Sequence, residues 1–216
     1  CYERIDGKRS PRQTIRHQID LSQVIFNYIN FEQPEFNRIK DYLSSKVITE
    51  TKGVFNKLHA SVDGLTYVFG TGGLHASIEA QTVESDEHYQ IVDVDVASYY
   101  PNLAIMNKMF PAHLGKEFGA IYLDIYHQRK TFKKGTPENA ALKEALNASY
   151  GNSNNVYSPL YDSFYTMQTC VNGQLLLCML AEQLIKIPNL KMIQCNTDGV
   201  TFKCPREHME HQRAIC

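Results

Sequence analysis

The sequence predicts a mixed α/β (α+β) fold for a chain of 216 residues, on three observations. Hydrophobic residues make up 43% of the chain, which is enough to bury a core. Short β-prone runs interrupted at Asp63-Gly64 and at Gly70, Gly72 and Gly73 predict hairpins. Helical patterns then alternate with strand patterns toward the C-terminus, which favours helices packed on a sheet.

Composition and charge exclude few classes of function. The net charge is −1, so no overall basic field indicates a nucleic-acid partner, but a local cluster of Lys and Arg could still hold one. The apolar runs are too short and too interrupted to span a bilayer, so no membrane association is expected. The six cysteines form no Cys-x-x-Cys pair. We expect no signal peptide, and therefore expect reduced thiols in a cytoplasmic protein. They are Cys1, Cys170, Cys178, Cys195, Cys204 and Cys216.

The N-terminal region carries no predicted chemistry. Residues 1–18 are polar and predict an exposed lead-in. The chain opens without Met and stops at "EHQRAIC", so we expect it to be a piece of a longer polypeptide. A first helix is predicted in residues 33–46, where Pro34 suits the first turn and Phe36 and Ile39 lie on the packing face.

The stretch "IVDVDVASYYPNLAI", residues 91–105, begins as a strand with two different faces. Valines at 92, 94 and 96 fall on one side at period two, and Asp93 and Asp95 fall on the other. The valine face is expected to be buried. Carboxylates beside a core need solvent, hydrogen bonds or a cation, so this strand predicts a site with one of these.

Two helices are predicted after Pro111, in residues 116–134 and 137–150, as a helical hairpin. Gly135 fits a helix end, Thr136 an N-cap and Pro137 a first helical residue. Residues four apart on a helix share a face. The spacing therefore places Arg129 beside Lys133 on the first helix and Lys143 beside Asn147 on the second. Three positive charges aimed inward suit an anionic ligand, and the alternative is a solvated helix face.

The C-terminal part predicts a helix followed by a β-hairpin. The helix fits residues 167–187 and stops before Pro188. The segment "KMIQCNTDGVTFKC", residues 191–204, is typical of two strands joined by a tight turn that contains Asp198. Because Asp-Gly is common in hairpin turns, Asp198 alone could be an ordinary turn residue.

Three segments gain weight from their order: "DVASYYP" (95–101), "KEALNASYG" (143–151) and "CNTDGV" (195–200). Taken singly, an Asp-x-x-Ser at a strand end is typical of a helix cap. Together the segments resemble motifs A, B and C of family-B DNA polymerases, and "QRKTFK" on the first hairpin helix resembles the fingers motif. The glycines of "FGTGGLHA" loosely resemble the linker between the exonuclease and polymerase regions.

The resemblance implies a fold and a division of the chain. It implies an antiparallel palm sheet backed by helices, with an inserted helical-hairpin fingers subdomain. Residues 1–90 would be a lead-in and hairpin-rich segment, 91–115 and 151–216 the palm, and 116–150 the fingers. The thumb and the exonuclease would lie in missing segments of the parent polypeptide. The compact, divergent motifs favour a phage or related mobile element, and hence the host cytoplasm.

The resemblance also implies the ligands and the residues that hold them. Primer-template DNA and a dNTP would be the partners, with two Mg²⁺ ions held by Asp95 and Asp198 and with Val96 as a further metal-site residue. An oxygen-rich pair of carboxylates suits Mg²⁺. The nucleotide-binding residues would be Ser98, Tyr99, Tyr100, Arg129, Lys133, Lys143 and Asn147, with the backbone amides from Val96 to Tyr99. Tyr150 and Gly151 would contact DNA, and Tyr100 would exclude a 2'-hydroxyl. Tyr99 and Tyr100 could instead pack in a core.

Departures from the family pattern leave alternatives open. Asn196 replaces the first aspartate of motif C, Gly199 replaces a serine and Gln194 a tyrosine, so the metal role would depend on Asp198. Asp93 could add charge or be paired with solvent or a lysine. The chain could thus be a palm and fingers fragment of a polymerase, a catalytically silent or split fragment that only binds nucleotides and nucleic acid, or an unrelated structural domain.

Overall fold

The computed structural model describes residues 12–216, which form two compact units. Among these residues, the first unit comprises 12–19 and Ser98–Thr169, and the second comprises Asp20–Ala97 and Cys170–Cys216. The predictions made for residues 1–11, including the Cys1 thiol, lie outside the described residues. Within 12–216 no helix has the length and apolar character needed to cross a membrane.

The second unit is built on a six-stranded antiparallel sheet. Its strands are β3 (His59–Val62), β4 (Leu65–Gly70), β5 (Gly73–Ser77), β6 (Tyr89–Asp95), β7 (Lys191–Asn196) and β8 (Gly199–Pro205). Their order in space is β3-β4-β5-β7-β8-β6, so among residues 12–216 β6 is an edge strand that pairs only with β8. The hairpins predicted around Asp63-Gly64 and the 70–73 glycines are present as β3-β4 and β4-β5.

The alternation of side chains gives the sheet one apolar face and one polar face. Tyr67, Leu74 and Phe202 are fully buried, and Phe36 meets Tyr67 edge-on with ring centroids 5.2 Å apart. Phe36 lies on α1 (Pro34–Ser44), where Pro34 occupies the first turn as predicted. Each buried Leu or Phe side chain of this kind stabilises the unit by roughly 1.5–3 kcal/mol.

The remaining elements are short or helical. Strands β1 (Ile19–Asp20) and β2 (Val47–Ile48) form a separate two-stranded sheet. Single 3-10 turns cover Leu21–Gln23 and Arg206–His208, and α6 covers Met209–Ile215. The helix α5 spans Ser163–Leu184, which matches the helix predicted before Pro188. The fold is α+β, as the sequence predicts.

The first unit contains α2 (Tyr99–Met106) and the predicted helical hairpin, α3 (Gly115–Thr131) and α4 (Pro137–Gly151). The two hairpin helices are joined by the Tyr122 hydroxyl, which donates a hydrogen bond to the Leu146 carbonyl oxygen at 2.6 Å. Tyr122 is 3% exposed, and this burial raises the pKa of its hydroxyl. Thr136 caps α4 by accepting from the Asn139 amide, as its position predicts.

The exposed lead-in predicted for residues 1–18 is wrong at Gln13, Thr14 and Arg16, which are half-buried, whereas Ile15 is exposed. The Gln13 side chain donates to the carbonyls of Val156 and Ser158, both at 2.7 Å. Arg16 forms a bidentate ion pair with Asp162, which is 1% exposed. The polar side chains of Gln13 and Arg16 are therefore paired with carbonyl and carboxylate groups of the loop after α4.

Candidate functional site

The second unit holds the two predicted metal ligands in one groove. Asp95 ends β6 and pairs across the ladder with Gly199, and Asp198 lies in the turn just before Gly199. A groove of about 420 Å³ is lined by Asp93, Asp95, Gln194, Asn196, Asp198, Gly199 and Thr201. We call it the carboxylate groove. The side chains that line it offer carboxylate, amide and hydroxyl oxygens.

Gly199 is required by space rather than by the turn. Its φ is not positive, and it pairs with Asn196 and Asp95 as a strand residue. A Cβ atom built at this position would overlap Oδ1 of Asp95 and lie 3.0 Å from the Val94 carbonyl oxygen. The Asp95 carboxylate therefore occupies the space that any side chain at position 199 would need.

The turn that carries Asp198 is strained and tightly bonded. Thr197 has φ +50, and the Asp198 amide donates to the Asn196 carbonyl oxygen at 2.5 Å, which together define a γ-turn centred on Thr197. Such a backbone conformation for a β-branched residue costs roughly 1–3 kcal/mol. The positive φ falls on Thr197 and not on Asp198 or Gly199, so this is not the common Asp-Gly turn.

The Asp198 backbone also meets the end of β6. Its carbonyl oxygen accepts a hydrogen bond from the Val96 amide at 2.8 Å. This contact joins the end of β6 to the turn between β7 and β8. It also occupies the Val96 amide, to which the resemblance assigns phosphate binding.

Asp93 has a different partner from those the sequence suggested. The Thr201 hydroxyl, directly opposite on β8, donates to Asp93 Oδ1 at 2.6 Å. Because β6 is an edge strand, the valines at 92, 94 and 96 are only half-buried, and the prediction of a buried valine face is wrong. Asp93 is exposed and accepts this hydrogen bond. Asp93 and Asp95, although they lie on the same strand face, therefore have different surroundings.

The groove suits a hard divalent cation. Asp95 and Asp198 provide two carboxylates, which is the usual protein contribution for Mg²⁺, whose other ligands are water and substrate oxygens. The gap left at Gly199 gives the Asp95 carboxylate its room. Within residues 12–216 no cluster of three or more His, Cys, Asp or Glu side chains is placed to hold a metal.

In the first unit, Ser98 and Arg129 lie in contact. Ser98 precedes α2 in a left-handed conformation, φ 49 and ψ 55, and its side chain makes no capping hydrogen bond. Its hydroxyl instead accepts from the Arg129 guanidinium at 2.8 Å. Ser98 therefore combines a strained backbone conformation with a hydrogen bond to a cationic side chain of α3.

Two predicted aromatic residues also meet in the first unit. The rings of Tyr100 and Tyr150 lie 4.7 Å apart between centroids, and Tyr99 stacks on Tyr100 at 5.5 Å. Tyr99 is buried, so it packs, while Tyr100 and Tyr150 are half-buried. Gly151, the last residue of α4, is exposed.

Lys133 does not share a helix face with Arg129, and that prediction is wrong. The helix α3 ends at Thr131, and Phe132 has an extended backbone. The Asn139 side chain donates to the carbonyls of Arg129 and Phe132 at 3.1 and 3.0 Å, which ends the helix. Lys133 therefore lies in the exposed loop, whereas Lys143 and Asn147 are one turn apart on α4 as predicted.

A charged cluster that the sequence analysis missed lies at the start of β6. Lys203 donates to Asp86 at 2.8 Å, and the amides of His88 and Tyr89 donate to the same carboxylate. The Lys203 hydrogen bond first, and then the backbone amides, lower the pKa of Asp86 to about 2. Asp86 and Lys203 are 117 residues apart, so only the β6-β8 register reveals the pair.

Comparisons with known proteins find matches among solved structures. No protein-family model matches the chain, and no curated protein matches it. Among solved structures, the chain is similar to the family B DNA polymerase from the hyperthermophilic archaeon Pyrobaculum calidifontis, with 15% identity and a TM-score of 0.37. The match covers 63% of this chain and 25% of that one, so the chain spans about a quarter of that polymerase. At this TM-score the likeness fixes neither the fold nor the function.

Proposed function

We propose that this chain is the palm and fingers portion of a template-dependent DNA polymerase of the family-B type. The observation that carries the proposal is the hydrogen bond from Val96 to the Asp198 carbonyl, with Asp95 and Asp198 in one groove. Residues from the motif A and motif C segments are far apart in sequence and meet there. The reaction would be attack of a primer 3'-hydroxyl on the α-phosphate of a dNTP, with pyrophosphate leaving.

Asp95 and Asp198 are assigned the binding of two Mg²⁺ ions, and the Val96 carbonyl is assigned a share in it. When bound, the two ions would supply charge neutralisation and an activated primer hydroxyl. The groove's oxygen donors fit that role because both carboxylates are exposed and can exchange solvent for metal.

The first unit is assigned the nucleotide. Arg129, already held by Ser98, would donate a bidentate pair of hydrogen bonds to the triphosphate. Lys133, Lys143 and Asn147 are exposed and would add charge and hydrogen bonds. Tyr100 would lie under the sugar and Tyr99 would support it from below, since the two rings stack.

The DNA is assigned to the end of α4. Tyr150 packs against Tyr100, the proposed sugar-contacting residue. A base pair beside Tyr150 would therefore lie next to the nucleotide sugar. Gly151 follows on the same helix end, where the backbone is exposed and can approach a nucleic acid closely.

The test is the loss of metal binding and of primer extension on removal of either carboxylate. Asp95→Asn and Asp198→Asn should each weaken Mn²⁺ binding and slow Mg²⁺-dependent extension by about 100-fold or more. Asp93→Asn is the matched control, because Asp93 lies on the same strand face but is bonded to Thr201. Unchanged binding and extension in both variants would falsify the assignment.

A second candidate is a catalytically silent module that binds nucleotide and nucleic acid. Asn196 favours it, because a neutral amide stands where the motif usually has a carboxylate. In that case dTTP with Mg²⁺ would bind saturably while no primer is extended. Asn196→Asp separates the two candidates. A silent module should gain primer-extension activity from the added carboxylate, whereas an active polymerase should extend primers without the substitution.

A further inference from the structure

We infer that the β4-β5 hairpin positions Asp198, and that Gly73 is the residue through which it does so. This inference rests on the proposed function, because it concerns the placement of a proposed metal ligand. Gly73 belongs to the "FGTGGLHA" stretch, whose glycines have no role in the chemistry described so far. It begins β5 and pairs with Gly70 across the hairpin.

The hairpin holds the strained turn by a direct hydrogen bond. The Thr197 amide donates to the Leu74 carbonyl oxygen at 2.8 Å. A residue in a rarely populated backbone conformation persists only where its surroundings hold it there. Thr197, with φ +50, is held by this bond on one side and by the Asp198-to-Asn196 bond on the other.

Gly73 lies so close to Thr197 that a side chain at position 73 would crowd it. A Cβ atom built at Gly73 would lie 3.0 Å from both Cγ2 and Oγ1 of Thr197 and 3.2 Å from its Cα. The φ of Gly73 is +131, a conformation that side chains rarely adopt. Both the space and the backbone at position 73 therefore require glycine.

The contacts form a short chain that ends at the metal ligand. Gly73 abuts Thr197, Thr197 is the centre of the γ-turn, and Asp198 is the next residue. The Asp198 carbonyl is fixed in turn by the Val96 amide at 2.8 Å. A displacement of Thr197 by a few tenths of an ångström has no flexible residue to absorb it before Asp198, so it would change the separation of the Asp198 and Asp95 carboxylates.

The experiment compares Gly73→Ala with Gly72→Ala. A Cβ at Gly72 would meet nothing within 4 Å and its φ is ordinary, so Gly72→Ala is a matched control one residue away. Mn²⁺ binding to the 216-residue chain is measured by electron paramagnetic resonance, and unfolding by urea titration. Gly73→Ala should weaken Mn²⁺ binding by roughly 10-fold or more, and Gly72→Ala should leave it unchanged.

Thr197→Ala provides a suppressor. It removes Cγ2 and Oγ1, the two side-chain atoms nearest the added Cβ. The double variant Gly73→Ala/Thr197→Ala should regain most of the Mn²⁺ affinity that Gly73→Ala loses, because the two sites are coupled. A purely structural role for Gly73 would lower stability without moving the Mn²⁺ affinity of the folded protein, and Thr197→Ala would then restore nothing.

The outcomes separate this inference from the proposed function. Equal Mn²⁺ affinity in Gly73→Ala and Gly72→Ala overturns the inference, provided that Asp198→Asn does lose Mn²⁺ binding. If Asp198→Asn also keeps its affinity, the proposed metal site itself is wrong. Should Gly73→Ala not fold, Thr197→Gly tests whether a fixed turn positions Asp198. Glycine makes the turn more flexible, so Mn²⁺ binding should weaken severalfold without loss of stability. Unchanged Mn²⁺ affinity in Thr197→Gly overturns the inference.

Discussion

The carboxylate groove and the α3-α4 hairpin differ in what fixes their proposed ligand-binding side chains. In the groove, Asp198 is set by backbone hydrogen bonds to Asn196 and Val96, so its Cα has little freedom. In the hairpin, Arg129 is held through its side chain by Ser98, and Lys133 lies in an exposed loop. Carboxylates that share metal ions need a fixed separation, whereas cations that meet a flexible triphosphate do not. The two regions therefore should respond differently to substitution.

Of the substitutions that compare the two regions, the largest effect is expected at Gly199. In Gly199→Ala the new Cβ displaces the Asp95 carboxylate, which is the most mobile atom group that it meets. Mn²⁺ affinity should fall by about 10- to 100-fold, with only a small change in the free energy of unfolding. Binding isotherms and urea titrations on the same samples check this, and a large stability loss with intact Mn²⁺ binding would contradict the geometry of the groove.

A stability effect is expected at Asn139 in the hairpin. Asn139→Ala leaves the carbonyls of Arg129 and Phe132 without their side-chain donor at the end of α3. The free energy of unfolding should fall by about 1–2 kcal/mol. Asn139→Asp is the matched control for volume, since a carboxylate cannot donate, and it should lose at least as much. Denaturant unfolding measures both variants, and an unchanged midpoint would show that the cap is not needed.

Two cation substitutions compare an anchored side chain with an unanchored one. Arg129→Lys loses the bidentate geometry and should weaken dTTP binding about 10-fold. Lys133→Gln removes one exposed charge and should weaken it about 2- to 3-fold. Isothermal titration with dTTP and Mg²⁺ measures the difference. An equal effect at both positions would mean that the Ser98 contact does not orient Arg129.

The smallest expected effect is a pH dependence of stability that arises from Asp86. This residue precedes β6, at the end of the strand away from the carboxylate groove. Its pKa is lowered from 3.8 to about 2 in the folded protein, mainly by Lys203, so its stabilising contribution is present above about pH 4 and is lost as the pH falls to about 2. Asp86→Asn should be less stable than the unsubstituted protein at pH 5, with the gap closing by pH 2. Urea unfolding at several pH values checks this, and a gap that stays constant would contradict it.

Pattern and periodicity in the sequence are sufficient for most of the secondary structure. The α3-α4 hairpin, with Thr136 and Pro137 at the start of α4, follows from local preferences alone, because caps and first-turn prolines act within one helical turn. The strand face with Asp93 and Asp95 follows from period two. The meeting of Asp95 with Asp198 depends on the family resemblance, since no local rule pairs β6 with β8.

Tertiary contacts explain what the sequence analysis missed. Lys133 leaves the helix because Asn139 reaches back to end it. Thr201 became the partner of Asp93 through a ladder register that spans more than a hundred residues. The close approach of the Asp95 carboxylate to Gly199 depends on the pairing of β6 with β8, so no local sequence pattern predicts it.

The buried Asp162 sets a practical limit on how the chain can be shortened for laboratory production. Its carboxylate receives Arg16 at 2.7 and 3.2 Å and the amides of Ala112 and Phe164 at 2.9 and 3.0 Å. A version trimmed to begin after Arg16 would leave the Asp162 carboxylate with neutral donors only, which should lower the free energy of unfolding. Replacing Asp162 with Asn in that shorter version would relieve the charge, so the useful trimming point and the residue at 162 must be chosen together.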